Sequence, residues 1–183
     1  MATVRTPRAS WIDEGLKVLG RGGPEAVRIE PLARALGVSK GGFYWHFDDR
    51  GALLREMLDA WEHRYVDEVI EVVDAVEGDA RARLRSLFGL ASASGGELLK
   101  VELAIRDWAR RDQEVARRLR RVDNRRIAYM RSLFAEFCDD PDEVEARCLM
   151  TFSLFVGAGL VRAEHDGRSK ADVLESVLRS LTR

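Results

Sequence analysis

The chain has 183 residues, of which 46% are hydrophobic and 33% charged, with four prolines; this excludes disordered, collagen-like and mucin-like sequences. The net charge of −1 argues against a general nucleic-acid coat, and two cysteines, Cys138 and Cys148, cannot alone make a disulfide framework or a four-ligand zinc site. Met1 to Ser10 holds no apolar segment, and the longest charge-free stretch, Cys148 to Val161, has fourteen residues where a bilayer span needs about 20, so a soluble, cytoplasmic protein without membrane contact is expected.

Helical spacing appears almost everywhere, and neither strand alternation nor a long repeat is visible. Ile12, Leu16 and Leu19 share one helix face until Gly20-Arg21-Gly22-Gly23-Pro24 ends that helix. A short helix follows with Ile29, Leu32, Ala33 and Leu36 inward and Pro31 in its first turn. Gly37 stops it, Val38 fills the bend, and Ser39 is placed to cap a brief helix from Lys40 to Phe47. Asp48 or Asp49 caps a long helix from about Arg50 to Val76, with Leu54, Met57, Leu58, Trp61, Tyr65, Val69 and Val72 as its apolar stripe. Gly78-Asp79 breaks it. Further helices are expected at about 80–92, 97–110, 112–137, 141–163 and 170–182, with breaks at Ser94-Gly95-Gly96 and His165-Asp166-Gly167. Asp140, Pro141, Asp142 and Glu143 mark one start clearly. The expectation is an all-α protein of about nine helices, a short-helix head on a long-helix body.

Two short helices around a glycine bend, Arg28 to Phe47, describe a helix-turn-helix. Ala33 lets the helices cross closely, Gly37 supplies a positive φ, and Leu36, Phe43 and Phe47 close a small core. The outward face then shows Lys40, Gly41, Gly42, Tyr44, Trp45 and His46. On a DNA reading, the glycines and Ser39 bring the helix start close to the phosphate backbone. Lys40 reaches a phosphate or a guanine edge, Tyr44 and His46 grip phosphates, and Trp45 meets a thymine methyl. Arg28 and Arg50 add backbone contacts. The charge of +3 over residues 1–47, against −4 over the rest, suits this reading. The plain alternative is a helical hairpin whose aromatics pack on the body.

Gly37-Val38-Ser39-Lys40-Gly41-Gly42-Phe43-Tyr44-Trp45-His46-Phe47, followed by Asp48-Asp49-Arg50 and Ala52-Leu53-Leu54, resembles the TetR family of bacterial transcriptional regulators over about residues 9–58. The resemblance implies a repressor-like homodimer: a DNA-binding head, residues 1–50, and a helical domain, residues 51–183, that binds a small-molecule effector and dimerises. Its implied partners are a double-stranded DNA operator, an effector and a second copy, with no cofactor. Three positions depart from the family pattern. Arg28 stands where Thr is frequent, Arg50 replaces a usual Lys, and Gly42 replaces a larger side chain.

In the body, Trp61, Tyr65, Phe88, Trp108, Tyr129, Met130 and Phe134 either line an amphipathic effector pocket or form plain core. Arg106–Asp107 is either a buried pair tuned for a ligand or a surface pair. Cys148 to Leu160, with Ala171 to Leu181, is either a dimer surface, where Gly157, Ala158 and Gly159 permit close approach, or a buried element of one subunit. Residues 101–131 hold ten arginines against five acids. Asp107 with Arg110 and Arg111, and Glu114 with Arg117 and Arg118, suggest a solvated salt-bridged helix rather than a second polyanion surface. Gly37-Val38-Ser39-Lys40-Gly41 mimics a hydrolase nucleophile elbow, but a helix precedes the serine where a strand is required. None of His46, His63 and His165 follows a glutamate three residues earlier, as a di-iron bundle needs. No catalytic or metal-binding residue is therefore expected. The rival readings are an all-helical small-molecule carrier or enzyme keeping the head as scaffold, and an adaptor docking a protein through Tyr44 and Trp45.

Overall fold

A computed structural model of the chain describes residues 6–93, 96–161 and 163–183. Ser94 and Gly95 of the expected break, with Arg5 and Arg162, lie outside the described residues. Among the described residues there is no strand. The helices are α1 (Arg8–Ala26), α2 (Ile29–Ala35), α3 (Lys40–Phe43), α4 (Arg50–Glu62), α5 (Glu68–Asp74), α6 (Ala80–Ala93), α7 (Glu97–Ala109), α8 (Gln113–Phe134), α9 (Pro141–Gly157) and α10 (Lys170–Leu181). A π-helical turn, His63–Asp67, joins α4 to α5, so the described residues form nine rods if that pair is counted as one. Among them no helix is long and apolar enough to cross a membrane. The chain divides into two compact units: residues up to Tyr65 with Lys100–Leu119, and Val66–Leu99 with Arg120–Arg183.

The first unit is built on α1 and α4. Helix α1 loses helical geometry at Gly22 and Gly23, the latter at φ 72°, and regains a single turn after Pro24. Helix α1 packs on α4, and Trp11, Leu16 and Leu19 of the one and Leu53, Leu54 and Met57 of the other are all buried. Gly15 allows the crossing, since a Cβ there would lie 2.6 Å from Met57 Sδ. Gly20 meets the start of this unit's share of α7 in the same way, with 3.3 Å to the Val101 backbone nitrogen. Asp49 caps α4 as expected, its Oδ1 accepting from the Ala52 amide at 2.7 Å.

The second unit centres on Ala80, Leu84, Met130, Leu133, Phe134, Val144 and Cys148. Asp140 caps α9 through the Asp142 amide at 3.0 Å, and Ser169 forms a capping box with Asp172 on α10. Arg81 Nε donates to the Thr182 carbonyl at 2.7 Å and an Arg147 amino group to the Leu181 carbonyl at 2.6 Å, so two arginines satisfy the end of α10. Burial pushes the Cys148 thiol up to about 11. Gly159 makes its close approach within the chain, because a Cβ there would fall 2.3 Å from Leu99, whereas Gly157 faces open space.

The long helix departs from the expected stripe beyond Trp61. Val66 and Val73 are buried where the spacing selects Tyr65 and Val72, and Val72 is exposed. The π turn carries one extra residue, which advances the downstream face by one position. Val73→Asp is expected to cost at least about 3 kcal/mol by burying an unpaired charge, and Val72→Asp to stay within about 0.5 kcal/mol. Urea denaturation of both variants checks this, since an uninterrupted α-helix reverses the order.

Candidate nucleic-acid interface

The bend between α2 and α3 is a Schellman motif. The Gly37 amide donates to the Arg34 carbonyl at 3.1 Å and the Val38 amide to the Ala33 carbonyl at 2.9 Å. Gly37 has φ 68°, and no atom lies within 4 Å of a Cβ added there, so the backbone angle alone demands glycine. Ser39 holds the extended N-cap position of α3, but its hydroxyl makes no capping bond. Helix α3 covers only Lys40–Phe43, and hydrogen bonds from the His46 and Phe47 amides to the Phe43 carbonyl continue it as a turn.

Phe43 fixes that helix. It is fully buried, edge-on to Trp11 at 5.4 Å and stacked on Phe47 at 5.1 Å. With Phe43 inward, the next two side chains face solvent, Tyr44 at 53% and Trp45 at 72% exposure. Such exposure of two large aromatics side by side marks a contact surface. Gly41 and Gly42 adjoin them. A Cβ at either would meet nothing closer than 3.6 Å, so internal packing does not require glycine, and the bare backbone leaves room outside.

Beside this face runs a groove of about 450 Å³ lined by Arg28, Ile29, Glu30, Pro31, Arg34, Lys40 and Arg50. Four cations and one carboxylate make it an anion-attracting concavity. Lys40 Nζ donates to Glu30 Oε1 at 2.8 Å; this bond holds the Glu30 carboxyl below its ordinary range and raises the Lys40 ammonium above its own. Arg28 stands exposed at the N-cap of α2.

Two of the expected outward residues are engaged within the head. His46 Nε2 lies 2.9 Å from the Thr6 carbonyl oxygen, tying the segment before α1 to the end of α3. Arg50 lines the groove, but its Nε donates to the Val27 carbonyl at 2.6 Å and an amino group donates to the Pro24 carbonyl. The guanidinium therefore closes the last turn of α1, a task that spacing does not reveal because the partners lie 23 and 26 residues away. Arg8 stacks over Phe47 at 4.7 Å and pairs with Glu56 through both carboxylate oxygens.

The six aromatic effector candidates divide between the units: Trp61, Tyr65 and Trp108 in the first, Phe88, Tyr129 and Phe134 in the second. Trp61 and Phe134 are core residues, and the other four are half-buried. Trp61 Nε1 donates at 3.3 Å to Glu102, a carboxylate only 2% exposed that also pairs with Arg106 at 2.7 Å. Arg106 thus turns back one helical turn to Glu102, while Asp107 pairs on the surface with Arg111 at 2.6 Å. In the sequence Glu102 suggests a solvated face, being a glutamate in a charge-rich helix, and its i,i+4 spacing to Arg106 is the signal of a pair. The Tyr129 hydroxyl donates to Asp74 Oδ1 at 2.7 Å, and burial with this bond raises the phenol well above its ordinary value. Arg118 pairs with Asp59 and Glu62 rather than with Glu114, and Arg125 and Arg131 pair with Asp67 and Glu145. These pairs make the arginine-rich stretch mainly a salt-bridged surface.

A short glycine-bent helix pair, anchored from behind and showing aromatics and cations in front, defines a helix-turn-helix protein. Residues 12–57 match the family described as bacterial regulatory proteins, tetR family. It is similar to the HTH-type transcriptional regulator AcrR of Shigella flexneri, 28% identical over 80 residues that span 44% of this chain and 37% of the relative. The fold is that of a putative transcriptional regulator from Pseudomonas aeruginosa PAO1, with TM-score 0.70, 19% identity and coverage of 95% of this chain and 87% of that one. FadR of Bacillus subtilis, solved in complex with stearoyl-CoA, is similar in fold with TM-score 0.70 and 16% identity, covering 96% of this chain and 98% of its own.

Arg50→Ala leaves the Pro24 and Val27 carbonyls without their charged donor and is expected to lower stability by about 1–3 kcal/mol, with Arg50→Lys recovering part, since an ammonium lacks the fork. Urea denaturation reads the loss. Full stability with weakened DNA binding instead makes Arg50 a phosphate contact.

Proposed function

We propose that this protein is a ligand-responsive, sequence-specific DNA-binding transcriptional regulator, acting as a homodimeric repressor. The observation that carries the reading is the front of α3, where Tyr44 and Trp45 stand exposed beside glycines and a groove of four cations. Helix α3 is the element that enters the major groove, while α2 crosses the phosphate backbone. Lys40 and Arg28 then supply phosphate contacts, Tyr44 a phosphate or base-edge hydrogen bond, and Trp45 an apolar face for a thymine methyl.

A single head reads too few base pairs for specificity, so a second copy is required. Ala146, Leu149, Met150 and Ser153 are exposed along one stripe of α9, and Leu160 continues it. An exposed apolar stripe next to the amphipathic α10 supports dimerisation through these two helices. The regulatory domain, residues 51–183, is where an effector binds. That FadR holds stearoyl-CoA supports a small-molecule effector, for which half-buried Tyr65, Phe88, Trp108 and Tyr129 are more available than Trp61 and Phe134. Effector binding favours a dimer whose head spacing no longer matches successive major grooves.

Footprinting on the DNA upstream of the gene, with a salt titration, tests the reading. Expected are a protected palindrome of about 15–30 base pairs and affinity that falls steeply with salt. Lys40→Ala and Tyr44→Ala each weaken binding by about five- to fiftyfold without changing the oligomer, whereas unchanged affinity in both removes the head assignment. Leu149→Glu is expected to convert the dimer to monomer in sedimentation velocity.

A further inference from the structure

The groove beside α3 contains one acid among its cations, and that acid does not serve packing. Glu30 is 68% exposed at its side chain and Lys40 53%, so neither is held in place by burial. Their 2.8 Å contact bridges the first turn of α2 to the first residue of α3. The ammonium that opens α3 is thus already bonded to a carboxylate when the head is alone. Arg34, one turn along α2, and Arg28, at its N-cap, also act on Glu30 and favour its ionised form. Arg50 completes the ring of cations around the groove.

A carboxylate and a phosphate oxygen compete for the same ammonium protons. An exposed ion pair is weak and exchanges readily, because water screens it and both side chains regain freedom on parting. We infer that Glu30 is an internal stand-in for a DNA phosphate, occupying Lys40 in the free head and releasing it only when DNA displaces the carboxylate. This inference rests on the DNA-binding reading above. Once displaced, Glu30 has Arg34 and Arg28 as its next partners, which draws those cations away from DNA as well. The groove therefore grips the backbone weakly until the outer face of α3 makes its own contacts. Phosphate contacts carry no sequence information, so damping them raises discrimination rather than affinity.

The test uses the full-length protein in four forms: unsubstituted, Glu30→Gln, Lys40→Ala and the double variant. Each is titrated at several salt concentrations with a random-sequence duplex of about 30 base pairs, and with the palindrome selected from such a pool by the unsubstituted protein. Glu30→Gln is expected to bind the random duplex about two- to fivefold more tightly. Its plot of log affinity against log salt is expected to steepen by about 0.9. A smaller gain on the selected palindrome lowers the ratio between the two. In the Lys40→Ala background the same substitution is expected to tighten binding clearly less, since only the hold of Glu30 on Arg34 and Arg28 is left to release. Without DNA, the Glu30 carboxyl followed by NMR titrates below its ordinary range, and returns toward it in Lys40→Ala.

Equal tightening in both backgrounds makes Glu30 a simple repulsive charge and overturns the exchange. Unchanged or weaker binding by Glu30→Gln, while the unsubstituted protein binds DNA, overturns it too and leaves the DNA-binding reading intact. Failure of the unsubstituted protein to bind any duplex removes both.

Discussion

A helix of four residues cannot hold itself together. One turn fixes several dihedral angles for a single hydrogen bond, and isolated helices below about 12 residues are marginal in water. Helix α3 persists because Phe43 is sealed between Trp11 of α1 and Phe47 of its own following turn. That one burial sets the rotation of the whole segment. If Phe43 points inward, Tyr44 and Trp45 point outward, and the glycines before them lie along the edge between. The outer surface of the head is thus a consequence of what happens behind it, and α1 contributes its tryptophan to a face it never touches.

Arginine carries an unusual share of the remaining architecture. Arg50, Arg81 and Arg147 all end on main-chain carbonyls at the last turns of helices, two of them on α10 and one on α1. A guanidinium suits this place twice over, since its fork reaches more than one carbonyl and its charge meets the negative end of the helix dipole. Other arginines are consumed by carboxylates on neighbouring helices, as Arg118 is by Asp59 and Glu62. A chain with near-zero net charge can therefore present cations at one concave place and neutralise them over much of the rest.

Local signals were legible in the sequence, and long-range ones were not. Asp49, Asp140 and Gly37 act where they stand, through backbone groups two to four residues away, and each marked its boundary correctly. The composition of α3, with its glycines and paired aromatics, was equally readable. Arg50 and His46 look outward in the sequence because their partners, Val27, Pro24 and Thr6, are distant along the chain. Glu102 shows only its i,i+4 spacing to Arg106, which does not tell a buried pair from a solvated one. The π turn at His63–Asp67 left no compositional mark, and a stripe drawn at ideal spacing ran one residue out of step beyond it. At Gly159 the spacing leaves open whether the room serves a second subunit or the same one, and the space there is taken by Leu99.

The four tryptophans occupy unlike surroundings. Trp11 and Trp61 are sealed, Trp108 is half covered, and Trp45 stands in water at the front of the head. An indole in water emits at longer wavelength and is open to dissolved quenchers, while a sealed one is blue-shifted and shielded. The molecule therefore carries an intrinsic optical label at the surface assigned to DNA, spectrally separable from the labels in its interior. Occupation of that surface by any partner becomes visible without attaching a dye.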